Sequence, residues 1–312
     1  MERIVDIATD GLHLSTYRGF LKVERDHEEI GRIALEDIHA VIIHSYGVTW
    51  STNLVASLAE RGAPIIFCGV NHAPIAVTLP LEGHHAQGAR IQAQWNASKP
   101  LAKQLWRRIV SAKIEMQGAL LAAHGIPGAE AFPHIAQRVS SGDRENLEAQ
   151  AARRYWPLLM GPTFRRDRDS GGINALLNYG YAILRASCAR AVVAAGLHPT
   201  IGIQHSHRGN AFALADDLVE PFRPLVDALT LRLGWEGIET LTPETKRRFA
   251  RLIAFDLRVN GETSPMSMAA HRLAQSLAHA FETGRPNLVI FEPPSAIEWA
   301  MAGEVGSGPD AA

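Results

Sequence analysis

Residues 101–125 read Leu-Ala-Lys-Gln-Leu-Trp-Arg-Arg-Ile-Val-Ser-Ala-Lys-Ile-Glu-Met-Gln-Gly-Ala-Leu-Leu-Ala-Ala-His-Gly, and the spacing of their apolar side chains predicts a long helix. These side chains recur every three or four positions: Leu101, Leu105, Ile109, Ala112, Met116 and Leu120. Such spacing puts them on one helix face, and a glycine just beyond the last, here Gly125, is a common end signal. The pattern recurs from Leu177 to Ala195, before Gly196, so a large helical region is expected.

The first 80 residues have a different pattern. Short runs such as Leu12–Tyr17 and Phe20–Val23 lie beside Gly11 and the pair Arg18-Gly19, which predicts short strands joined by tight turns. A helix bounded by an N-cap serine and a C-terminal glycine is expected from Ser51 to Gly62, between two further strands.

These patterns predict an α+β fold with two domains, a small N-terminal β-rich domain followed by a larger all-α-helical C-terminal domain. The predicted boundaries are residues 1–80 for the β-rich domain, 81–98 for a linker and the start of the helical region, 99–301 for the all-helical domain and 302–312 for a disordered tail. In a further helix, Ser264 is the expected cap, Pro265 the first helical residue and Gly284 the end.

Composition narrows the class of protein. The chain has 312 residues, is 46% hydrophobic and 20% charged, and has a net charge of −1, so a phosphate-binding surface must be local. No apolar run is long enough to span a bilayer and the N-terminus lacks a secretion signal, so a cytoplasmic protein is expected. The two cysteines, Cys68 and Cys188, lack the spacing of a zinc knuckle.

The strongest candidate site joins two segments. In Gly202–Pro224, His205 precedes Asp217 and Glu220, which are three residues apart and would project from one face of a helix. Two such carboxylates repel each other, and a cation would relieve them. Upstream, Glu148 lies in an alanine-rich helical run and is the expected further ligand. Oxygen ligands with one imidazole favour Mg²⁺ or Mn²⁺ over zinc.

Two features qualify this interpretation. Pro221 and Pro224 cannot continue a regular helix, so a kink or a helix start is expected at the carboxylate pair. Taken singly, each residue also has an ordinary explanation. His205 could be a hydrogen-bonded histidine, and Glu148 could form an intrahelical pair. Asp217 and Glu220 could lie on a solvated helix face, paired to Arg208 or Arg223. The joint occurrence of the three favours a metal site.

Basic residues form two groups that could contact phosphate groups. The first group brackets the Glu148 helix and consists of Arg153, Arg154, Arg165, Arg166 and Arg168. The second begins a later helix and consists of Lys246, Arg247 and Arg248, followed by Arg251. Arg208, close to His205 in the sequence, is a further candidate. An ordinary solvated helix face is an equal alternative for the second group. Tyr155 and Trp156 could stack an unpaired base or anchor the core.

The ordered motifs carry a resemblance to a known family. Asp143-Arg-Glu-Asn-Leu-Glu148, then Asn174-Ala-Leu-Leu-Asn178-Tyr-Gly-Tyr181, then His205 and Asp217-Leu-Val-Glu220-Pro-Phe-Arg-Pro, resemble the universal CRISPR-associated integrase of spacer acquisition. The branch that accompanies type II, single-effector systems is the most similar. The resemblance extends from the β-rich start to about residue 285.

This resemblance implies roles for individual residues. Glu148, His205 and Glu220 fall on the three catalytic metal-binding positions, with Asp217 in a supporting position. Asn174, Asn178 and Tyr181 match an Asn-rich helix, which is either a polar brace behind the site or a purely structural helix. We expect removal of a single metal ligand to leave the melting temperature nearly unchanged, because the carboxylates repel each other without a metal.

The resemblance also implies activity and partners. The implied reaction is the insertion of spacer DNA into a CRISPR array by attack of a DNA 3′-hydroxyl on a repeat phosphodiester, with Mg²⁺ or Mn²⁺ as cofactor. The implied partners are DNA, a second copy bound through the β-rich domain, a small ferredoxin-like CRISPR-associated protein in a heterohexameric complex, and the RNA-guided effector nuclease. A free-standing metal-dependent nuclease that activates water remains an alternative, as does a DNA-binding subunit that holds a structural ion.

Overall fold

The computed structural model describes residues 3–69, 74–78, 80, 83–205 and 209–302 of the chain. Contacts divide the chain into two compact units, Met1–His85 and Ala86–Ala312. This division falls inside the predicted linker of residues 81–98. The predicted tail and one candidate DNA-binding residue, Arg208, lie outside the described residues except for Ala302, which ends the last helix.

The first unit contains two four-stranded sheets and one helix. Its elements are β1 (Arg3–Ile7), β2 (Leu12–Tyr17), β3 (Phe20–Arg25), β4 (Glu28–Ala34), β5 (Ile38–Ile43), β6 (Thr49–Trp50), α1 (Thr52–Glu60), β7 (Ile65–Cys68) and β8 (Pro74–Thr78). One sheet has the order β1-β5-β7-β8, with β8 antiparallel to β7 and the other pairs parallel, and the other has the order β4-β3-β2-β6. The expected β-rich start is therefore present.

The core of the first unit follows from side-chain alternation and burial. In β2, Leu12 and Leu14 are buried while His13 between them is exposed, as expected for a strand with one face on the core. All six residues of β5 are buried, which is typical of a central strand in a partly parallel sheet. Ser51 caps α1 by accepting a hydrogen bond from the Leu54 amide, which confirms the predicted start of this helix.

The second unit is mostly helical. Its elements are α2 (Gln87–Trp95), α3 (Lys99–Ala123), α4 (Ala131–Arg138), α5 (Leu147–Met160), α6 (Ile173–Ala194), α7 (Ala213–Val219), α8 (Arg223–Trp235), α9 (Pro243–Ala250), β9 (Asp256–Val259), β10 (Glu262–Pro265), α10 (Met266–Thr283) and α11 (Ala296–Ala302). Helix α6 packs against α7, α8, α9 and α10, while α3 packs against α4, α5, α8 and α11. None of the helices in the described ranges is both long and apolar enough to cross a bilayer.

The prediction of an all-helical second domain is wrong in one place. Strands β9 and β10 form an antiparallel hairpin in which Val259 pairs with Glu262 across Asn260 and Gly261. Both turn residues have positive φ, 52° and 80°, as an Asn-Gly hairpin turn requires. The same hairpin corrects the start of α10, because Ser264 lies in β10 and makes no cap, so the helix begins at Met266 after Pro265.

Candidate metal centre

Two of the predicted ligands converge on one cationic atom. The ammonium nitrogen of Lys113, on α3, donates a hydrogen bond to Oε1 of Glu148 at 2.6 Å and lies 2.5 Å from Oε2 of Glu220. The two carboxylate oxygens therefore lie within about 5 Å of each other. Burial acts to lower the pKa of Lys113, but the charges of Glu220 and Glu148 outweigh burial and raise it.

The position of Glu148 is fixed by hydrogen bonds at the start of α5. Asp143 accepts hydrogen bonds from the amides of Leu147, at 2.8 Å, and Glu148, at 3.0 Å, so its carboxylate satisfies two amides in the first turn of α5. The chain enters the helix through Asn146, whose φ is 53°. Glu148 thus lies in the first turn of α5, where its side chain reaches Lys113.

His205 is held by Asp217, which is completely buried on α7. Asp217 accepts hydrogen bonds from three consecutive amides, those of Ile203, Gln204 and His205, and its Oδ1 lies 2.7 Å from Nδ1 of the imidazole. Because a carboxylate can only accept, Nδ1 carries the proton, and in the neutral imidazole Nε2 keeps its lone pair. The hydrogen bond to Asp217 raises the pKa of His205, and burial opposes it.

The loop before His205 requires a glycine. A Cβ atom at Gly202 would lie 2.3 Å from the carbonyl oxygen of His205 and 2.9 Å from Oδ2 of Asp217. Oδ2 of Asp217 cannot move away without weakening its hydrogen bonds from the amides of Ile203 and Gln204. Gly202 therefore allows the loop to close on Asp217.

Glu220 lies at a break between two helices, as predicted from Pro221 and Pro224. Helix α7 ends at Val219, one 3₁₀ turn covers Glu220–Phe222, and α8 begins at Arg223. Glu220 is 4% exposed, and its Oε1 pairs with Nε of Arg223 at 2.9 Å. Burial acts to raise the pKa of Glu220, but Arg223 and Lys113 together lower it.

A further buried carboxylate, Asp227, lies on α8. It accepts hydrogen bonds from the hydroxyls of Tyr155, at 2.8 Å, and Tyr181. The guanidinium groups of Arg166 and Arg223 lie over the Tyr181 ring, at 5.5 Å and 4.6 Å from its centroid. Burial raises the pKa of Asp227 to about 6, although the hydrogen bonds from both tyrosines act to lower it.

The residues fit a divalent cation in charge and donor type. The carboxylates of Glu148 and Glu220 already enclose one cation, and Oε2 of Glu220 is buried without a hydrogen bond of normal geometry from any described residue. The imidazole of His205 is 41% exposed and supported through Nδ1, the usual arrangement of a histidine ligand. In the described part of the chain, no three His, Cys, Asp or Glu side chains are arranged closely enough to hold an ion, and Lys113 lies between Glu148 and Glu220.

The candidate DNA-binding residues differ in exposure and in partners. Arg153, Arg154, Arg165 and Arg168 are exposed. Arg166 is half-buried and donates to Oδ1 of Asn174 at 3.0 Å and to Oδ1 of Asn178 at 2.6 Å, so the Asn-rich helix holds a structural arginine.

The second basic group, which begins at Lys246, and the pair Tyr155 and Trp156 also make contacts within the protein. Lys246 lies over the ring of Tyr179, Arg247 pairs with Glu244, and Arg248 pairs with Glu236 at 2.5 Å; Arg251 is half-buried in the 3₁₀ turn that follows α9. Tyr155 is completely buried, which corrects the alternative that it stacks a base, and Trp156 packs at 5.2 Å from its ring.

Sequence reasoning missed Lys113, Asp143 and Asp227. Lys113 had a signal, because it lies four residues after Ile109 and three before Met116, on the apolar face of α3. A lysine at such a position requires an anionic partner. Asp227 had no comparable signal, since its tyrosine partners lie 72 and 46 residues away.

Comparisons with known proteins agree with this architecture. The family profile described as CRISPR associated protein Cas1 matches residues 5–241. The CRISPR-associated endonuclease Cas1 of Neisseria meningitidis serogroup C (strain 8013) is 34% identical over 270 residues, which cover 86% of this chain and 88% of that protein.

Solved structures share the fold. A casposase bound to an integration product is similar with a TM-score of 0.78 and 20% identity, over 93% of each chain. A Cas6-RT-Cas1–Cas2 complex is similar with a TM-score of 0.73 and 19% identity, over 93% of this chain and 36% of that one. Both alignments include the β-rich start and the mostly helical remainder.

Proposed function

The chain belongs to the CRISPR associated protein Cas1 family, and on that premise we propose that it is a divalent-metal-dependent DNA integrase and endonuclease that inserts spacer DNA into a CRISPR array. The observation that carries the proposal is the convergence of Glu148 and Glu220 on one cation. We assign the third ligand position to His205, whose Nδ1 is held by Asp217. These are the residues that the family resemblance assigns to the metal.

The protein's own residues have separate tasks in this proposal. Glu148, Glu220 and the Nε2 atom of His205 would hold Mg²⁺ or Mn²⁺, which lowers the pKa of an attacking hydroxyl and neutralises charge on the reacting phosphate. Asp217 orients the imidazole through Nδ1. Arg223 holds Oε1 of Glu220 and leaves Oε2 facing Lys113.

The reaction needs no covalent enzyme intermediate. A DNA 3′-hydroxyl attacks a repeat phosphodiester, and the leaving 3′-oxygen takes the proton, so the number of phosphodiester bonds is conserved. The chain then has to bind two DNA segments and align them. The exposed arginines Arg153, Arg154, Arg165 and Arg168 are the proposed phosphate contacts in the described structure.

We extend the proposal to partners. The β-rich unit would form a homodimer, and a small ferredoxin-like CRISPR-associated protein would bridge two dimers in a heterohexamer, with the RNA-guided effector as a further partner. The similar fold of a chain in a Cas6-RT-Cas1–Cas2 complex supports a Cas partner. Joining separate arginine groups should raise the affinity for duplex DNA at least about tenfold at fixed salt when the partner is added.

One experiment tests the chemistry. A short duplex and a supercoiled repeat plasmid are incubated with protein and Mn²⁺, and products are resolved on one gel. Integration yields plasmid joined to the short duplex, whereas a nuclease that activates water yields cleaved plasmid alone. The second outcome is tested because the relative from Neisseria meningitidis is named an endonuclease.

Matched variants make the result specific. His205→Ala should abolish strand transfer, while His134→Ala, an exposed histidine on α4, should leave it intact. Strand transfer by His205→Ala at the wild-type rate would overturn the assignment of this ligand. Folded, DNA-binding protein without any chemistry in the wild type would favour a subunit that holds a structural ion.

A further inference from the structure

Lys113 occupies the position that the proposed ion needs. Its side chain is only 11% exposed, although it is a lysine, and it lies on the apolar face of α3. Its nitrogen meets carboxylates from two other elements, the first turn of α5 and the 3₁₀ turn before α8. The contact atoms are Oε1 of Glu148 and Oε2 of Glu220, the oxygens that face each other.

Arg223 is a further cation at the site, but it contacts a different oxygen. Arg223 pairs with the other oxygen of Glu220, Oε1, at 2.9 Å. Lys113 is therefore the group that bridges Glu148 and Glu220. Without a cation between them, two carboxylates this close would repel each other.

We propose that Lys113 is an internal counter-cation of the proposed metal site, which holds Glu148 and Glu220 together in the metal-free protein and is displaced from Glu220 when a divalent ion binds. This inference rests on the proposed metal-dependent function of the same three ligands. Lysine suits the task because its ammonium is a compact charge on a flexible stem, which can swing away without moving the backbone of α3.

The contacts on the two sides of Lys113 are unequal. Lys113 donates a hydrogen bond of normal geometry to Glu148, whereas its contact with Oε2 of Glu220 is an ion pair without such geometry. The contact with Glu220 is the shorter of the two but lacks a directional hydrogen bond, and we take it as the contact that an ion replaces. After displacement Lys113 keeps its hydrogen bond to Glu148.

Competition of this kind lowers the apparent affinity for the ion. Metal binding must first break the contact between Lys113 and Glu220, so removal of the ammonium should tighten binding. Lys113→Met preserves the apolar stem and removes the charge. It should lower the apparent dissociation constant for Mn²⁺ about tenfold, within the usual range of coupling between two ligands.

The test is a titration of Mn²⁺ followed by electron paramagnetic resonance of the free ion, without DNA. Wild type, Lys113→Met, His205→Ala and the control Lys99→Met, an exposed lysine at the start of the same helix, are compared. We expect tighter binding by Lys113→Met, weaker binding by His205→Ala and wild-type binding by Lys99→Met. Melting temperatures should show a lower value for metal-free Lys113→Met and a larger rise on addition of Mn²⁺.

The outcomes separate this inference from the proposed function. Equal or weaker Mn²⁺ binding by Lys113→Met, with a clear loss in His205→Ala, would overturn the displacement of Lys113 and leave the metal site standing. Absence of binding in wild type and Lys113→Met alike would overturn both. If Lys113→Met does not fold, Lys113→Gln, which keeps length and a hydrogen-bond donor, replaces it, with tighter binding again expected and unchanged binding again contradicting the displacement.

Discussion

Nδ1 of His205 lies 2.7 Å from Oδ1 of Asp217, and Asp217 has no exposed surface. The same carboxylate accepts hydrogen bonds from three backbone amides of the loop that carries His205. One buried side chain therefore fixes both the loop and the imidazole. This makes Asp217 a positioning residue, while His205 is the residue that would touch the ion.

Asp217→Asn tests that distinction. An amide nitrogen at this position must face at least one of the donors that now point at the carboxylate, which leaves a buried donor unsatisfied at about 1 to 3 kcal/mol. We expect Mn²⁺ affinity to fall about ten- to a hundredfold and the melting temperature to fall. Strand transfer should decrease less than in Glu220→Ala; an equal loss would make Asp217 a ligand.

Glu220→Ala and His205→Ala should differ in stability, although both should abolish strand transfer. Glu220 is paired to two largely enclosed cations, Lys113 and Arg223, and its removal leaves both without this partner, at about 3 kcal/mol. His205 is 41% exposed, and its loss should leave the metal-free melting temperature nearly unchanged. Differential scanning calorimetry with chelator measures both values.

This expectation corrects the one from sequence, in which removal of any ligand was neutral for stability. Lys113 relieves the mutual repulsion of the carboxylates in the structure, so we expect Glu220 to stabilise the metal-free protein. Equal melting temperatures of Glu220→Ala and wild type would show that the ion pairs with Lys113 and Arg223 contribute nothing measurable.

Asp227→Asn should change the pH dependence of stability. The pKa of Asp227 is raised to about 6 by burial, so the folded protein binds this proton more tightly than the unfolded chain. A raised carboxyl pKa contributes stability below the unfolded pKa of about 3.9, and this contribution is lost as pH rises through about 6. Relative to Asp227→Asn, wild type should therefore lose about 2 kcal/mol of stability between pH 4 and pH 7.

Urea unfolding at several pH values measures this difference. Glu262→Gln, at a side chain that is 73% exposed, is the matched control and should follow wild type. A difference between wild type and Asp227→Asn that stays constant from pH 4 to pH 7 would contradict the raised pKa.

Gly202→Ala should damage the site while the rest of the unit folds. The added Cβ would meet the carbonyl oxygen of His205 at 2.3 Å, so the loop must move away from Asp217. We expect at least about a tenfold loss of Mn²⁺ affinity, as for a lost outer-shell contact. Gly171→Ala is the control, because nothing lies within 4 Å of its Cβ position; equal Mn²⁺ affinities of the two variants would contradict the role of Gly202.

Arg165 and Arg166 should behave differently despite being neighbours. Arg165 is exposed, and Arg165→Ala should reduce the slope of log K against log salt for duplex DNA by about 0.9. Arg166 is held by Asn174 and Asn178, so Arg166→Ala should mainly lower the melting temperature. Fluorescence anisotropy at four salt concentrations measures the slopes, and an unchanged slope in Arg165→Ala would place the phosphate contacts elsewhere.

Local signals in the sequence predicted much of the fold. The apolar period of α3 and the caps at Ser51 and Gly284 depend on residues within a turn or two of each other, and the structure has these elements. The Asn260-Gly261 turn was also a local signal, and the hairpin it forms was missed because β9 and β10 are only four residues each and lie within a helical region.

The candidate ligands were predicted from motif order and resemblance, and the break at Glu220 from two prolines. These conclusions need only residue identity and short spacing, since Pro221 and Pro224 deny hydrogen bonds to a helix wherever it lies. The division into a β-rich start and a mostly helical remainder was likewise predicted from residue types and short spacings.

By itself, the sequence determined the element types and the residues able to bind a cation, because backbone preference and side-chain chemistry are local properties. Only the tertiary structure decided which charges face each other. Lys113 reaches Glu148 across 35 residues, and Asp227 meets Tyr155 across 72, because helices distant in sequence pack together. This packing buries Asp227, which raises its pKa, and it brings the Lys113 ammonium against the Glu220 carboxylate, where water screens the two charges less than at the surface.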